Sequence, residues 1–112
     1  MTGFKQKDVV LADIVFADGG GSKKRPALIV SNDKYHSSRK EILVCAITSN
    51  TERTLFGDTK IEGWREAGLK YPSNTLAVIQ TIHAHRINHK LGELPEKDFK
   101  SVLSNLGKII TH

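Results

Sequence analysis

The chain is poor in several things, and each shortage narrows what it can be. Only one of its 112 residues is cysteine, Cys45, so no internal disulfide can form. That thiol sits in the apolar run ILVCAI, where a buried, inert side chain is the expected outcome and a reducing compartment the natural setting. No window approaches the roughly 20 apolar residues of a membrane span. The opening MTGFKQKDVV has no apolar stretch of the signal-peptide kind, so the expected location is the cytoplasm, with no membrane partner. Repeats and low-complexity tracts are absent. Aromatic residues make up 6%, so Trp64 and Phe56 are either stacking surfaces for bases or simply core.

What is present points to a small β-rich domain with a basic surface. The length and the 38% of apolar residues suit one compact domain spanning residues 1–112. Seventeen Lys and Arg against twelve Asp and Glu give a net charge of +5, which serves either a polyanionic partner or plain solubility. Val9–Phe16, Ala27–Val30, Ile42–Ile47 and residues 75–82 read as strands. The first three are so continuously apolar that both faces should be covered, as in a small barrel. Residues 32–41 read as a turn-rich connection, and residues 49–73 as a long, possible recognition loop with a short β-like TKIE. From Glu96 onward, Phe99, Val102, Leu103, Leu106, Ile109 and Ile110 recur at helical spacing behind Pro95, predicting a C-terminal helix of about four turns. The class is therefore mainly β with α.

One junction stands out. Gly19, Gly20 and Gly21 lead through Ser22, Lys23, Lys24 and Arg25 straight into the strand PALIV. A phosphate-cradling P-loop is excluded, because that motif needs a second glycine, a lysine and then a helix. If residues 25–31 pair with 42–48 as an antiparallel hairpin, Ala27 meets Ala46, Leu28 meets Cys45 and Val30 meets Leu43. Arg25 then faces Thr48 at the open end. Either the two are an ordinary surface charge and a strand end, or a guanidinium fork and a hydroxyl share the mouth of the barrel beside Lys23 and Lys24, matched to phosphate oxygens.

At these residues the chain resembles a family. DVVLADIVFADGGGSKKRPALIVSNDKY, ILVCAITSN and LGELPEKDF with a final helix are similar to the PemK/MazF-type toxins of bacterial toxin–antitoxin pairs. RPALIVSND and AITS are the most specific pieces. Asp8 fits the aspartate of the family's opening GD, with Lys7 in place of its glycine. The resemblance implies an SH3-like antiparallel β-barrel with appended helices, assembled as a homodimer. It implies a metal-independent, cofactor-free endoribonuclease that cuts single-stranded RNA and is inhibited by a cognate antitoxin. Arg25 and Thr48 fall on the family's catalytic pair, and Gln80 and Arg86 on positions of the later strand that touch RNA. The acidic residue of that later-strand pattern is missing from AVIQTIHAHRI. Two other readings remain: a non-catalytic RNA-binding barrel, and a gyrase-binding toxin of the same fold.

Further candidates cluster around these positions. Ser49, Asn50 and Arg53 follow Thr48 closely and either line the same groove, reading splayed bases, or form a solvated loop. His83 and His85 in HAHRINH are surface residues or an acid–base pair assisting the chemistry; with His89 they make only a weak zinc pattern, and no metal is expected. The glycines of residues 19–21 would let the cationic loop close over a phosphodiester.

Overall fold

The computed structural model describes residues 3–15 and 21–112. Among these, six strands form: β1 (Asp8–Val15), β2 (Ser22–Ile29), β3 (Glu41–Thr48), β4 (Thr59–Ile61), β5 (Ser73–His83) and β6 (Ile87–Glu93). Helix α1 (Asp33–Ser38) follows β2, and helix α2 (Glu96–Ile109) closes the chain. The strands make one antiparallel sheet in the order β4-β5-β3-β2-β1-β6. Phe16, Gly19 and Gly20 lie outside the described residues. Gly21 enters β2 at φ +83, in the left-handed region that a side chain resists.

The apolar runs cover both faces of the sheet because successive residues point to opposite sides. Val9, Leu28, Cys45 and Ile47 join one core, closed by Phe99, Val102 and Leu106 of α2. Their neighbours Val10, Ala27, Ile29 and Val44 join a second core, completed by Ile42, Ile82 and Ile87. That second core draws its buried residues from strands alone, so the sheet itself has to curl around it.

The chain path forces the same curl. β5 and β6 are four strand spacings apart in the sheet order, about 19 Å if the sheet were flat. Only the 3₁₀ turn Ala84–Arg86 connects them, and three such residues advance about 6 Å. The ends of β5 and β6 therefore come together. No ladder among the described residues joins the outer strands, so the sheet is not closed into a barrel. The seam is instead pinned by Gln80 of β5, whose Nε2 donates to Val15 O (2.9 Å) while its Oε1 accepts from Val15 N (3.3 Å).

The hairpin has the expected register: Ala27↔Ala46, Leu28↔Cys45 and Ile29↔Val44. β2 begins earlier than its apolar residues suggest, because Ser22–Pro26 pairs with β1 and shields its far end. The 32–41 connection holds a short helix, which Asn32 caps by accepting the Tyr35 N–H at 3.0 Å. β6 was not expected; INHKLGE has little alternation, and it is held at the edge by two-bulge pairing with β1 and by Lys90 Nζ, 3.2 Å from the buried Asp8 carboxylate. In α2, Phe99, Val102 and Leu106 are buried, whereas Leu103, Ile109 and Ile110 are exposed.

The turn after β4 packs against β6 with almost no clearance. A β-carbon on Gly92 would lie 2.5 Å from the Ala67 carbonyl oxygen, and Gly68, at φ +80, abuts the Leu91 backbone. Asp98 on the first turn of α2 fixes the start of this segment, accepting the Glu62 and Gly63 N–H groups at 2.9 Å each.

Candidate RNA-binding cleft

Two residues beyond Ala27↔Ala46 the hairpin opens. Arg25 pairs with Ala12 of β1, while Thr48 pairs with Asn74 of β5. The β2–β3 ladder itself ends at Ala27↔Ala46, so Arg25 and Thr48 are not the ladder partners that the sequence register suggested. The two residues stand on opposite lips of the gap between β2 and β3.

A cleft of about 510 Å³ lies at that gap and is lined by Arg25, Ser49, Lys70, Tyr71 and His89 among others. Its apolar floor comes from Leu11, Ile47, Leu69 and Leu91, and no carboxylate lines it among the described residues. Ser49 is the residue after Thr48. Thr48 is half-buried, and its Oγ1 accepts the Asn50 N–H at 3.1 Å, which leaves the hydroxyl proton to donate. Cations, an exposed tyrosine ring and an apolar floor together suit a chain that presents phosphates on one side and bases on the other.

The other sequence candidates divide. Gln80, His83, His85 and Arg86 line a separate cleft of about 460 Å³ at the β5–β6 corner. Gln80 is committed to Val15 by its two hydrogen bonds. Lys23, Lys24, Asn50 and Arg53 are exposed and line neither cleft; Asn50 Oδ1 accepts the Glu52 N–H at 3.3 Å, closing a local turn. Trp64 packs against the α2 core, with the Arg65 guanidinium 4.7 Å from its ring centre, whereas Phe56 is exposed. Cys45 is fully buried, and desolvation pushes its thiol up to about 12, so it is no nucleophile. Among the described residues, no group of three or more His, Cys, Asp and Glu side chains is gathered to hold a metal ion.

Sequence reasoning passed over Lys70 and Tyr71, and took up His89 only as part of a weak zinc pattern. The K-Y-P stretch at 70–72 does place a cation beside an aromatic ring, but only the fold brings it opposite Arg25.

Comparison with known proteins agrees with this architecture. Among curated proteins, no sequence matches the chain. Among solved structures, MazF (form I) from Deinococcus radiodurans is similar with 21% identity, covering 96% of each chain at a TM-score of 0.76. The Mycobacterium tuberculosis toxin MazF-mt6 is 22% identical, with 90% of this chain and 93% of that one covered and a TM-score of 0.72. An endoribonuclease in complex with its cognate antitoxin, from a mycobacterial species, is 19% identical over 95% and 93% of the two chains, at 0.74. At these identities the likeness establishes the fold. Residues 5–110 match the sequence family as well, so the chain belongs to the PemK-like, MazF-like toxins of type II toxin–antitoxin systems.

Proposed function

We propose that this chain, acting as one toxin domain, is an endoribonuclease that cuts single-stranded RNA by attack of a ribose 2′-OH on the adjacent phosphorus. One observation carries the reading: Arg25 and Ser49, the neighbour of Thr48, line a single cleft with Lys70, Tyr71 and His89, with no carboxylate among its described lining residues. As the 2′-oxygen attacks, negative charge builds on the phosphoryl oxygens, and fixed cationic donors favour that state over the ground state. Arg25 supplies the charge and passes a proton to the leaving 5′-oxygen. Thr48 donates its hydroxyl proton to a phosphoryl oxygen or orients the 2′-OH. A guanidinium, with a pKa above about 12, is a poor base. His89, in the same cleft, is the imidazole that takes the 2′-OH proton. No step in this scheme calls for a metal ion. Lys23, Lys24, Asn50 and Arg53 extend the basic path outside the cleft.

The proposed inhibitor is a cognate antitoxin whose acidic segment occupies the same cleft. Support comes from the absence of carboxylates among the described residues that line it and from the antitoxin complexes among the structural neighbours. A homodimer in the cytoplasm is the proposed working form; exposed Val15, Val78 and Ile79 offer an apolar contact, and the buried, unpaired thiol suits a reducing compartment.

The test is incubation of purified protein with a long transcript in EDTA. Discrete fragments ending in cyclic phosphate are expected, lost in Arg25→Ala and Thr48→Ala and reduced in His89→Gln. Binding without cleavage would favour a non-catalytic RNA-binding barrel, and trapping of gyrase on plasmid DNA would favour a gyrase-directed toxin.

A further inference from the structure

We infer that Asn74 of β5 is a positioning residue of the cleavage site: its buried carboxamide holds the loop between β3 and β4 so that Thr48 presents its hydroxyl to the RNA. The inference rests on the RNA-cleaving reading above and deepens it. Asn74 does not line the cleft, so it acts through its neighbours.

Asn74 is the ladder partner of Thr48 on one side and of Lys60 on the other, so the three side chains stand in a row on one face of the sheet. Lys60 is exposed and Thr48 half-buried, yet Asn74 between them is 0% exposed. The loop of residues 49–58 reaches it there: Asn74 Nδ2 donates to Thr54 Oγ1 at 3.2 Å. The same loop is fastened at both ends. At its start Thr48 Oγ1 accepts the Asn50 N–H at 3.1 Å. At its close the Asp58 carboxylate accepts the Leu55 N–H at 3.0 Å and the Ala77 N–H at 2.8 Å. Thr54 lies between these fixed points, on the side of the loop that follows Thr48. Releasing it lets residues 49–53 swing, and with them the Asn50 N–H that fixes the Thr48 hydroxyl.

Stability alone does not account for an asparagine at this position. Asn74 Oδ1 is buried and has no hydrogen-bond partner among the described residues. Exchanging the oxygen and nitrogen of the amide would leave Nδ2 unpaired instead, so the deficit does not depend on which way the amide is turned. A buried polar atom without a partner lowers stability. Leucine has the same branching and removes the deficit together with the one bond. Thr54 is exposed, so water satisfies its hydroxyl after the exchange. Such a swap is close to neutral for folding. What leucine cannot do is hold Thr54.

The experiment is single-turnover cleavage of a defined transcript in EDTA, run beside thermal unfolding and anisotropy binding of the same RNA with every ribose 2′-O-methylated. Asn74→Leu and Thr54→Val are each expected to slow cleavage about fivefold, the worth of one neutral hydrogen bond, and to leave RNA affinity within about twofold of wild type. The melting temperature should stay in place in both. Thr54→Ser keeps the acceptor oxygen and should cut at the wild-type rate. The double variant Asn74→Leu with Thr54→Val should be no slower than either single one, because both remove the same bond. Thr54 is exposed, so its variants carry the test even where Asn74→Leu fails to fold.

If wild type cuts the transcript and Thr54→Val matches it, the role of Asn74 falls and the RNA reading stands. Cleavage that drops only where the melting temperature drops makes the residue merely structural and also overturns the inference. If wild type cuts nothing, both fall.

Discussion

Replacing Asp98 by alanine tests what holds the segment leading to the cleft wall. The Asp98 carboxylate is only 5% exposed, and its two oxygens each accept one backbone N–H, from Glu62 and Gly63, at 2.9 Å. Hydrogen bonds to a charged group are worth about 1.5–3 kcal/mol each. Glu62 is exposed and Gly63 half-buried, so water satisfies part of what the substitution uncovers. The expected net loss is about 2–3 kcal/mol. At this chain length that lowers the melting temperature by about 6–12 °C. Asp98→Asn keeps one acceptor oxygen but turns an N–H donor toward the other N–H, so it should fall between wild type and alanine. Urea unfolding followed by circular dichroism gives the difference, with an unchanged slope as the check that the unfolded state is not altered. RNA cleavage should drop in parallel, because Gly68, Leu69, Lys70 and Tyr71 of the same segment wall the cleft. A loss below about 0.5 kcal/mol, or an asparagine variant as damaged as alanine, would refute the reasoning.

Two more perturbations probe other parts of the fold. Cys45 should resist thiol reagents at pH 8 until urea unfolds the protein. Its stabilising contribution is fully present below the thiol's unfolded value of 9.0 and is lost as pH rises toward about 12. Urea midpoints of Cys45→Ala should therefore fall less than wild type between pH 8 and pH 10.5; stoichiometric labelling of the native protein would contradict this. Lys7 has φ 80 and an exposed ion pair with Glu96 at 2.8 Å. Lys7→Gly releases the backbone from the left-handed penalty and loses only a pair that salt screens, so its melting temperature should exceed wild type, by more in about 0.5 M salt. A lower melting temperature in high salt would count against it.

The parts of the fold that apolar pattern controls were legible in the sequence. Small residues opposite small ones fixed the Ala27↔Ala46 register, and three-and-four spacing placed α2 within a residue of its ends. What escaped depends on tertiary partners. β6 is an edge strand whose polar residues face solvent, and α1 is six residues whose cap, Asn32, looks the same at the head of a turn. In the site, Arg25 and Ser49 line one cleft, beyond the point where the hairpin ladder ends at Ala27↔Ala46. Thr48 lacks its expected partner because the β2–β3 ladder stops at Ala27↔Ala46, an end that alternation alone does not mark. Lys70, Tyr71 and His89 come from segments more than forty residues away from Arg25, and only the glycine-tight packing of the 63–71 turn on β6 delivers them.

The Gln80 carboxamide is chemically a peptide unit carried on a stalk of two methylenes. By giving and receiving with one residue of β1, it supplies a single borrowed rung where the backbone supplies none. The rung closes over Ile14 and Ile82 of the second core, which the β1–β2 and β3–β5 ladders hold from the other sides. Cutting that rung would free the β1–β5 edge while the Glu41↔His83 and Ala12↔Ile87 pairings keep the neighbouring corner in place.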